Sequence, residues 1–454
     1  MIPRLLLVAI GITSAAPWAY AQSVETSEPS TSLPAASPLE FDAYFTEHAL
    51  RFEMFQVGHK DRHDIIPAGI YEEPLWPGNR QQPIFPFPYG KQAVRVYDHA
   101  SGSLIYSFGF DTLFCEYATT PAAARGENRV FPISVRIPKP KARFRITIDQ
   151  RQRDNSWTTL WEQTLKPTDS SIHRESIEMG DTILPLQTTG SPDERLDIVF
   201  LSEGYTQQDQ DKFQQDAQRM TDFLFEHEPY RGARNRINAT AIFRPSRESG
   251  TDEPGQRRHR NTALHSSFNT LGIDRYLLIE DAHTMHRMAA QTPYDTIVVL
   301  VNSQRYGGGA ICMDFCVTTV DDALSTFVFL HEFGHSLAYL ADEYTGAVTY
   351  SDMYPEGVEP VEPNITRSLD RDAIKWKEFL TPEAPLPTPT SFRREGMAIE
   401  DVVGAFEGGG YLKSGMYRPH AHCAMGNFTQ PIRFCVACDR AIRQMIDYYA
   451  PRQP

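Results

Sequence analysis

One stretch of this chain, residues 331–344, constrains its fold and its chemistry more than any other. It contains the pattern His-Glu-x-x-His, formed by His331, Glu332 and His335. On an α-helix, side chains four residues apart lie on one face, so the two imidazoles can reach a common metal ion. Glu332 lies between them, where its carboxylate can take a proton from a water molecule beside the metal. The stretch therefore predicts a helix that binds a metal ion.

The residues before the motif favour a helix. Asp321 is a suitable N-cap, and neither Pro nor Gly interrupts residues 323–333. Spacings of three, four and seven then place the following residues on one buried stripe: Leu324, Phe327, Val328, His331, His335, Ala338 and Asp342. The five-residue motif also arises by chance, in which case the histidines are ordinary core or surface residues. The apolar run 327–330, the small Gly334 and the acidic residues that follow favour the metal site.

Charge and composition indicate a globular protein and argue against one that binds nucleic acid. The chain has 454 residues, enough for two or three domains, and 41% of them are hydrophobic, as in globular proteins. Lys and Arg number 44 against 58 Asp and Glu, which gives a net charge of −14 without a basic run. This balance argues against a nucleic-acid partner.

The N-terminus predicts export. Residues 1–21 read as a signal peptide, with Arg4 before an apolar run at 5–12 and cleavage after Ala21. The apolar run is too short to span a membrane, and no later segment is long enough. We therefore expect a secreted or periplasmic protein. Residues 22–39, rich in Ser, Thr, Pro and Glu, predict a flexible linker.

Six cysteines have more than one interpretation. In an exported protein an even number favours disulfides. Cys435 and Cys438 are also spaced as a redox pair, and together with Cys423 and His422 they have the composition of a structural zinc site. We expect disulfides, with the pairing left open.

Residues 40–175 predict a β-rich N-terminal domain resembling a β-sandwich. Short apolar runs bounded by turn residues are candidate strands at 94–97, 104–108, 130–137, 144–148 and 158–161. Residues 41–57 predict only a short element. The domain carries no catalytic pattern, so it is either a packing or spacer domain or a substrate-docking domain.

After a linker at 176–192, residues 193–454 predict a domain of alternating strands and helices, either α/β or α+β. The predicted strands are 195–201, 237–243 and 295–301, and the predicted helices are 207–225, 276–290 and 436–449. Three glycines at 307–309 fit either a flexible loop or an edge strand that a peptide substrate can approach.

The chain resembles the M64 metallopeptidases, the family named for immunoglobulin A peptidase. The resemblance covers nearly all of residues 193–449 and, more loosely, the β-rich domain before them. Its matching segments are 196–206, 245–250, 306–309, 331–344, 375–376, 406–409, 415–419, 423–425 and 434–438.

This resemblance implies a zincin fold of the metzincin-like kind, with a mixed sheet, an active-site helix and a methionine turn beneath one catalytic Zn²⁺. His331 and His335 are then zinc ligands, with Glu332 as general base. Asp342 is the expected third ligand, and Glu343 is the competing one, as in gluzincins. Ala338 stands where M64 sequences often have Gly, so we expect the helix to continue and to carry Asp342 on the same face.

The resemblance also assigns residues further along the chain. Met425 is the expected methionine turn, and Tyr417 is a candidate to hydrogen-bond the oxyanion or else a packing tyrosine. His420 and His422 are alternative ligands or exposed loop histidines.

The function implied is a secreted zinc endopeptidase acting on a protein or peptide, without a membrane span. Two alternatives remain open. One is a catalytically silent binding protein with a zincin fold, and the other is a zinc hydrolase of a non-peptide amide or ester. The sequence leaves the substrate and the oligomeric state undetermined.

Overall fold

The computed structural model describes residues 39–174, 180–346 and 353–452. The predicted signal peptide and all but the last residue of the linker at 22–39 lie outside them. The described residues belong to one compact unit. No helix in this part of the chain combines the length and the apolar character needed to cross a membrane.

The described residues form a mixed α/β structure, as predicted, and it contains several sheets and few helices. The strands are β1 Phe45–His59, β2 Arg62–Glu73, β3 Gln92–Asp98, β4 Leu104–Phe110, β5 Arg129–Pro140, β6 Phe144–Arg151, β7 Trp157–Leu165, β8 Ile172–His173, β9 Thr182–Gln187, β10 Leu196–Glu203, β11 Ile237–Phe243, β12 Ser266–Ser267, β13 Leu278–Ile279, β14 Thr296–Val301, β15 Gly308–Ile311, β16 Phe315–Thr319, β17 Phe406–Gly409 and β18 Leu412–Arg418. The helices are α1 Phe41–Tyr44, α2 Leu113–Tyr117, α3 Pro121–Ala124, α4 Gln210–Glu226, α5 Ala282–Ala289, α6 Ser325–Ala338 and α7 Val436–Tyr449.

The N-terminal domain contains two four-stranded sheets, in the orders β5-β1-β2-β8 and β4-β3-β6-β7. Neighbouring strands are antiparallel except β2 and β8. Apolar side chains from both sheets, such as Phe52 and Ile146, belong to one hydrophobic cluster. The long hairpin of β1 and β2 replaces the short element predicted at 41–57.

The second part of the chain is built on a six-stranded sheet in the order β15-β16-β14-β10-β11-β9. Its four inner strands are parallel, and the two edge strands are antiparallel to their neighbours. Every residue of β10 and β14 is buried. Parallel strands covered on both faces read as continuous apolar runs, which is why these strands are recognisable in the sequence.

The predicted bounds of β11 and α7 match the structure. The prediction of a helix across 276–290 is wrong in its first half, because Leu278 and Ile279 form a strand. The helix begins only after Asp281, whose side chain accepts a hydrogen bond from the backbone of Thr284.

Helix α6, which carries the His-Glu-x-x-His motif, packs against β15 and β16. It begins at Ser325 rather than after Asp321, and it ends at Ala338. Tyr339 follows in the left-handed conformation, with φ 53°. The expected continuation of the helix to Asp342 is therefore wrong: the chain reverses at Tyr339.

The N-terminal domain holds Tyr339 in this conformation. The buried Tyr339 ring stacks on Tyr89, with ring centroids 5.4 Å apart. Its hydroxyl donates a hydrogen bond of 3.1 Å to Asp111. These contacts stabilise a backbone conformation that non-glycine residues seldom adopt.

Gly308 lets α6 lie close to the edge strand β15. A Cβ atom at this position would lie 2.5 Å from Cγ1 of Val328 on α6 and 2.8 Å from the carbonyl oxygen of Val317. Both distances are shorter than van der Waals contact, and the second involves backbone.

We predict that Gly308→Ala lowers the stability by about 1–3 kcal/mol, because the added methyl group overpacks the contact between helix and strand. Thermal unfolding of purified protein measures this effect. Gly255→Ala is the control, since a Cβ atom there meets only Asp274, at 3.5 Å. Equal unfolding midpoints for both variants would show that α6 does not need the close approach.

Candidate metal centre

Three side chains direct ligand atoms at one point beside α6. Nε2 of His331 lies 3.0 Å from Oδ1 of Asp342, and Nε2 of His335 lies 3.4 Å from the same oxygen. The two nitrogens are 3.3 Å apart. His331 and Asp342 are buried, and His335 is partly buried. The reversal at Tyr339, rather than a longer helix, brings Asp342 back to the histidines.

Both imidazoles donate their hydrogen bonds through Nδ1. No N–H group of theirs then points at the three converging atoms, which are the two Nε2 atoms and Oδ1 of Asp342. Nδ1 of His331 donates to the carbonyl of Ala424 at 2.9 Å, and Nδ1 of His335 donates to the carbonyl of Leu340 at 2.5 Å. In neutral histidines, each Nε2 then presents a lone pair. Oδ1 of Asp342 is buried and has no aligned hydrogen-bond donor. Three acceptors that face one another favour a cation between them.

The spacing of the three atoms suits zinc. Nitrogen and oxygen ligands lie about 2.0–2.2 Å from a tetrahedral zinc ion, which separates them from one another by about 3.3–3.5 Å. The observed separations of 3.0, 3.3 and 3.4 Å lie near this range. Two imidazoles and one carboxylate leave a fourth position free, as in catalytic zinc sites.

The charges in the site also favour a bound cation. Burial alone raises the pKa of Asp342, but the neighbouring His335 and His331 outweigh it and hold this pKa well below its usual range. Burial lowers the pKa of His335, and the Asp342 carboxylate outweighs it and raises this pKa to about 9. Both shifts reflect the attraction between the Asp342 carboxylate and the two imidazoles, and a cation that binds at the same point must displace any proton they hold.

Two residues that the sequence analysis missed hold the Asp342 segment. The hydroxyl of Tyr411 donates to Oδ2, the second carboxylate oxygen of Asp342. Asn364 makes two hydrogen bonds of 2.8 Å with the backbone of Ala341, one to its N–H and one to its carbonyl. Neither residue lies in a recognisable ligand pattern, although Tyr411 closely follows the matching glycine-rich segment 406–409.

Glu343, the competing third ligand, points elsewhere. Its backbone N–H donates to the carbonyl of Met425 at 2.7 Å. Its carboxylate lies against Cys435 and Cys438, so it groups with cysteines rather than with the histidines. The geometry therefore places Asp342, and not Glu343, beside the imidazoles.

The segment around Met425 packs against the part of α6 that carries the two histidines. Met425 is fully buried, and a Cβ atom at Gly334 would lie 2.7 Å from its sulfur. Gly334 therefore gives room to Met425, and the Ala424 carbonyl orients His331.

The two histidines further along the chain lie apart from the centre. His420 is buried, with Nδ1 donating to the Glu400 carbonyl, while His422 is exposed. Neither belongs to the two candidate metal-binding groups of the described residues.

Glu332 faces a cavity of about 470 Å³ that also contains the three candidate ligands. Burial raises the pKa of Glu332, although the nearby histidines act against it. Lys91, Asp111 and Glu116 of the N-terminal domain line the same cavity, so both parts of the chain form its wall.

Tyr417 lies in β18, and its backbone pairs with Thr366. It is not among the described residues that line the cavity, whereas Tyr344 and Tyr411 are. The Tyr344 ring stacks on His331, with centroids 6.3 Å apart. The burial of Tyr417 fits the packing role, and the oxyanion role stays a prediction.

Two further expectations change with the structure. All six cysteines are unbonded, so the expected disulfides are not present in this structure. The glycine-rich segment does form an edge strand, β15, but the N–H of Leu277 already donates to the Gly308 carbonyl at 3.2 Å. Part of this edge is therefore occupied by the chain itself.

Comparison with known proteins gives two matches to family models. The model described as IgA Peptidase M64 matches residues 184–400 and 392–446, and the model described as Peptidase M64 N-terminus matches residues 40–162. A comparison with curated proteins found no match.

We predict that Tyr411→Phe weakens zinc binding about 10–100-fold, because Asp342 loses a hydrogen bond that orients it. Competition with a chromophoric chelator measures the affinity. Tyr417→Phe is the matched control and should bind zinc like the unmodified protein. Equal affinities for both variants, or a loss confined to Tyr417→Phe, would contradict the assignment.

Proposed function

Because the chain belongs to the IgA peptidase M64 family, we propose that it is an exported zinc-dependent endopeptidase. The observation that carries the proposal is the convergence of His331, His335 and Asp342 beside Glu332 in one cavity. The metzincin-like layout, with Met425 beneath the ligands, belongs to the same proposal. Export rests on the signal peptide predicted at residues 1–21.

His331, His335 and Asp342 would hold the metal ion. Two imidazoles and a carboxylate favour zinc over calcium or magnesium, which prefer all-oxygen sites. When bound, zinc supplies a Lewis acid that polarises a carbonyl group and makes water acidic enough to ionise near neutral pH.

Glu332 is the general base in this proposal. It follows His331 directly on α6 and faces the same cavity, so its carboxylate lies beside the point where the ligands converge. Burial raises its pKa and strengthens it as a base. Glu332 accepts the proton of the attacking water and then delivers it to the departing amine. The same carboxylate thus acts first as base and then as acid.

The cavity wall suits an extended polypeptide. Phe327, Val328 and the 42%-exposed Phe428 supply apolar surface, while Arg275 supplies a positive charge near Glu332. Gly308 adds no side chain to the β15 side of the cavity, which leaves room for a substrate backbone.

The N-terminal domain takes part in substrate contact in this proposal, rather than serving as a spacer. Glu116 lies in the cavity wall and accepts a hydrogen bond of 2.6 Å from the hydroxyl of Tyr276. Burial raises the pKa of Glu116 to about 7, so it can present either a neutral or a charged group to a substrate.

We predict that Glu332→Gln lowers turnover at least about 100-fold, because the amide cannot accept a proton. Zinc content should stay unchanged, since Glu332 is not a ligand. Cleavage of a mixed protein panel, with zinc determined on the same sample, measures both quantities. Glu226→Gln, an exposed acid on α4, is the control and should keep full activity. Near-normal turnover in Glu332→Gln would remove this residue from its role.

Metal removal gives a second test. We predict that a chelator stops cleavage by the unmodified protein and that added zinc restores it, because the proposed reaction requires the Lewis acid that zinc supplies. Cleavage by protein verified to be zinc-free would contradict the proposal. Zinc binding without cleavage of any panel member would favour the catalytically silent binding protein.

A further inference from the structure

A second group of potential ligands lies directly behind the first. Cys423, Cys435, Cys438 and Glu343 are all buried, and their ligand atoms lie within 4.8 Å of one another. We propose that these four residues form a second, structural zinc site. This proposal does not depend on peptidase activity, because none of the four residues lines the cavity.

The distances between the sulfur atoms argue for a metal rather than a disulfide. Sγ of Cys423 lies 3.8 Å from Sγ of Cys438. A disulfide bond requires about 2.05 Å. Two thiolates that bind one tetrahedral zinc ion at about 2.3 Å are separated by about 3.8 Å. The observed spacing therefore corresponds to two neighbouring ligands of a tetrahedral ion.

Glu343 completes the group as its fourth member. Its Oε1 lies 3.3 Å from Sγ of Cys435 and 3.2 Å from Sγ of Cys438. Asn364 donates a hydrogen bond of 3.0 Å to the same oxygen and so fixes the carboxylate. The second oxygen, Oε2, is buried and has no hydrogen-bond partner among the described residues. A buried carboxylate with an unpartnered oxygen is costly unless a positive charge lies beside it.

Backbone N–H groups are arranged to stabilise thiolates, which are the form that binds zinc. Sγ of Cys423 accepts from the N–H groups of Met425 and Cys435, at 3.5 and 3.2 Å. Sγ of Cys435 accepts from the N–H of Cys438 at 3.4 Å. Cys435 is also the N-cap of α7, where the helix dipole favours negative charge.

The charge of such a site is partly balanced by its surroundings. Three thiolates and one carboxylate carry four negative charges, of which a zinc ion neutralises two. The guanidinium of Arg418 interacts electrostatically with Glu343 and Cys423 and supplies further positive charge.

The site would brace the candidate catalytic centre. Glu343 directly follows Asp342, and Cys423 directly precedes Ala424, whose carbonyl orients His331. The N–H of Glu343 donates to the carbonyl of Met425 at 2.7 Å, which joins the two segments. A zinc ion bound by both segments would fix two positions. One is that of Asp342, a candidate ligand of the first site. The other is that of the Ala424 carbonyl, which accepts the hydrogen bond of His331.

The metal content of the purified protein tests the proposal. The unmodified protein should contain two zinc ions per chain after dialysis, and His331→Ala/His335→Ala should retain one. Cys435→Ser/Cys438→Ser should also contain one fewer than the unmodified protein. Cys316→Ala is the control: this buried cysteine lies outside the group, so the variant should keep two ions.

Cobalt substitution keeps the test decisive where the cysteine variant fails to fold. The His331→Ala/His335→Ala variant leaves the cysteines intact, and when loaded with Co²⁺ it should show the ultraviolet charge-transfer band of cobalt bound by thiolates. Absence of this band in folded protein would overturn the proposal. Thiol labelling with peptide mapping that finds two of Cys423, Cys435 and Cys438 oxidised would overturn it in favour of a disulfide.

Discussion

The candidate centre depends on one backbone reversal, at Tyr339. The left-handed residue costs on the order of 1–3 kcal/mol in isolation, so contacts around it must hold it. Those contacts come from the other half of the chain: the ring of Tyr89 stacks on it, and Asp111 accepts its hydroxyl proton. The N-terminal domain thus takes part in the geometry of the candidate metal ligands, even though none of the three residues belongs to it. Loss of this packing would move Asp342 before it moved either histidine, because the histidines lie within the regular part of α6.

The sequence predicted the three side chains of the centre by a partly wrong route. His331 and His335 follow from helical spacing, which is a local property of the chain. Asp342 followed from an expected continuous helix, whereas the structure reaches the same residue through a turn. Helix propensity contains no information on a contact between residues 111 and 339, which are far apart in sequence, so the end of the helix was not predictable. The family resemblance is confirmed by the two matching models, but it did not supply this turn.

Where the buried residues are mostly apolar, as in β10, β11 and β14, the strands were recognisable in the sequence. The hairpin of β1 and β2 was missed because it buries charge. Arg51, Glu53 and Glu73 are all buried, and Nε of Arg51 donates to Glu73 at 2.8 Å. Such ion pairs interrupt the apolar alternation by which strands are recognised. Tyr411 was missed for a different reason: which tyrosine of a hairpin reaches the ligands depends on strand register and on the turn, and composition shows neither.

Asp342 and Glu343 are consecutive, yet one carboxylate faces two imidazoles and the other faces three cysteines. The two groups therefore share one backbone segment, and a displacement of either carboxylate moves the other. A flexible loop would transmit this displacement weakly. Here, however, Asn364 binds both the Ala341 backbone and the Glu343 carboxylate, and Met425 binds the Glu343 N–H. The backbone is thus held at consecutive residues. Contacts that fix Glu343 beside the cysteines therefore also restrict the position of Asp342. A zinc site with only three protein ligands gains most from such support, because its open position leaves fewer bonds to fix the geometry.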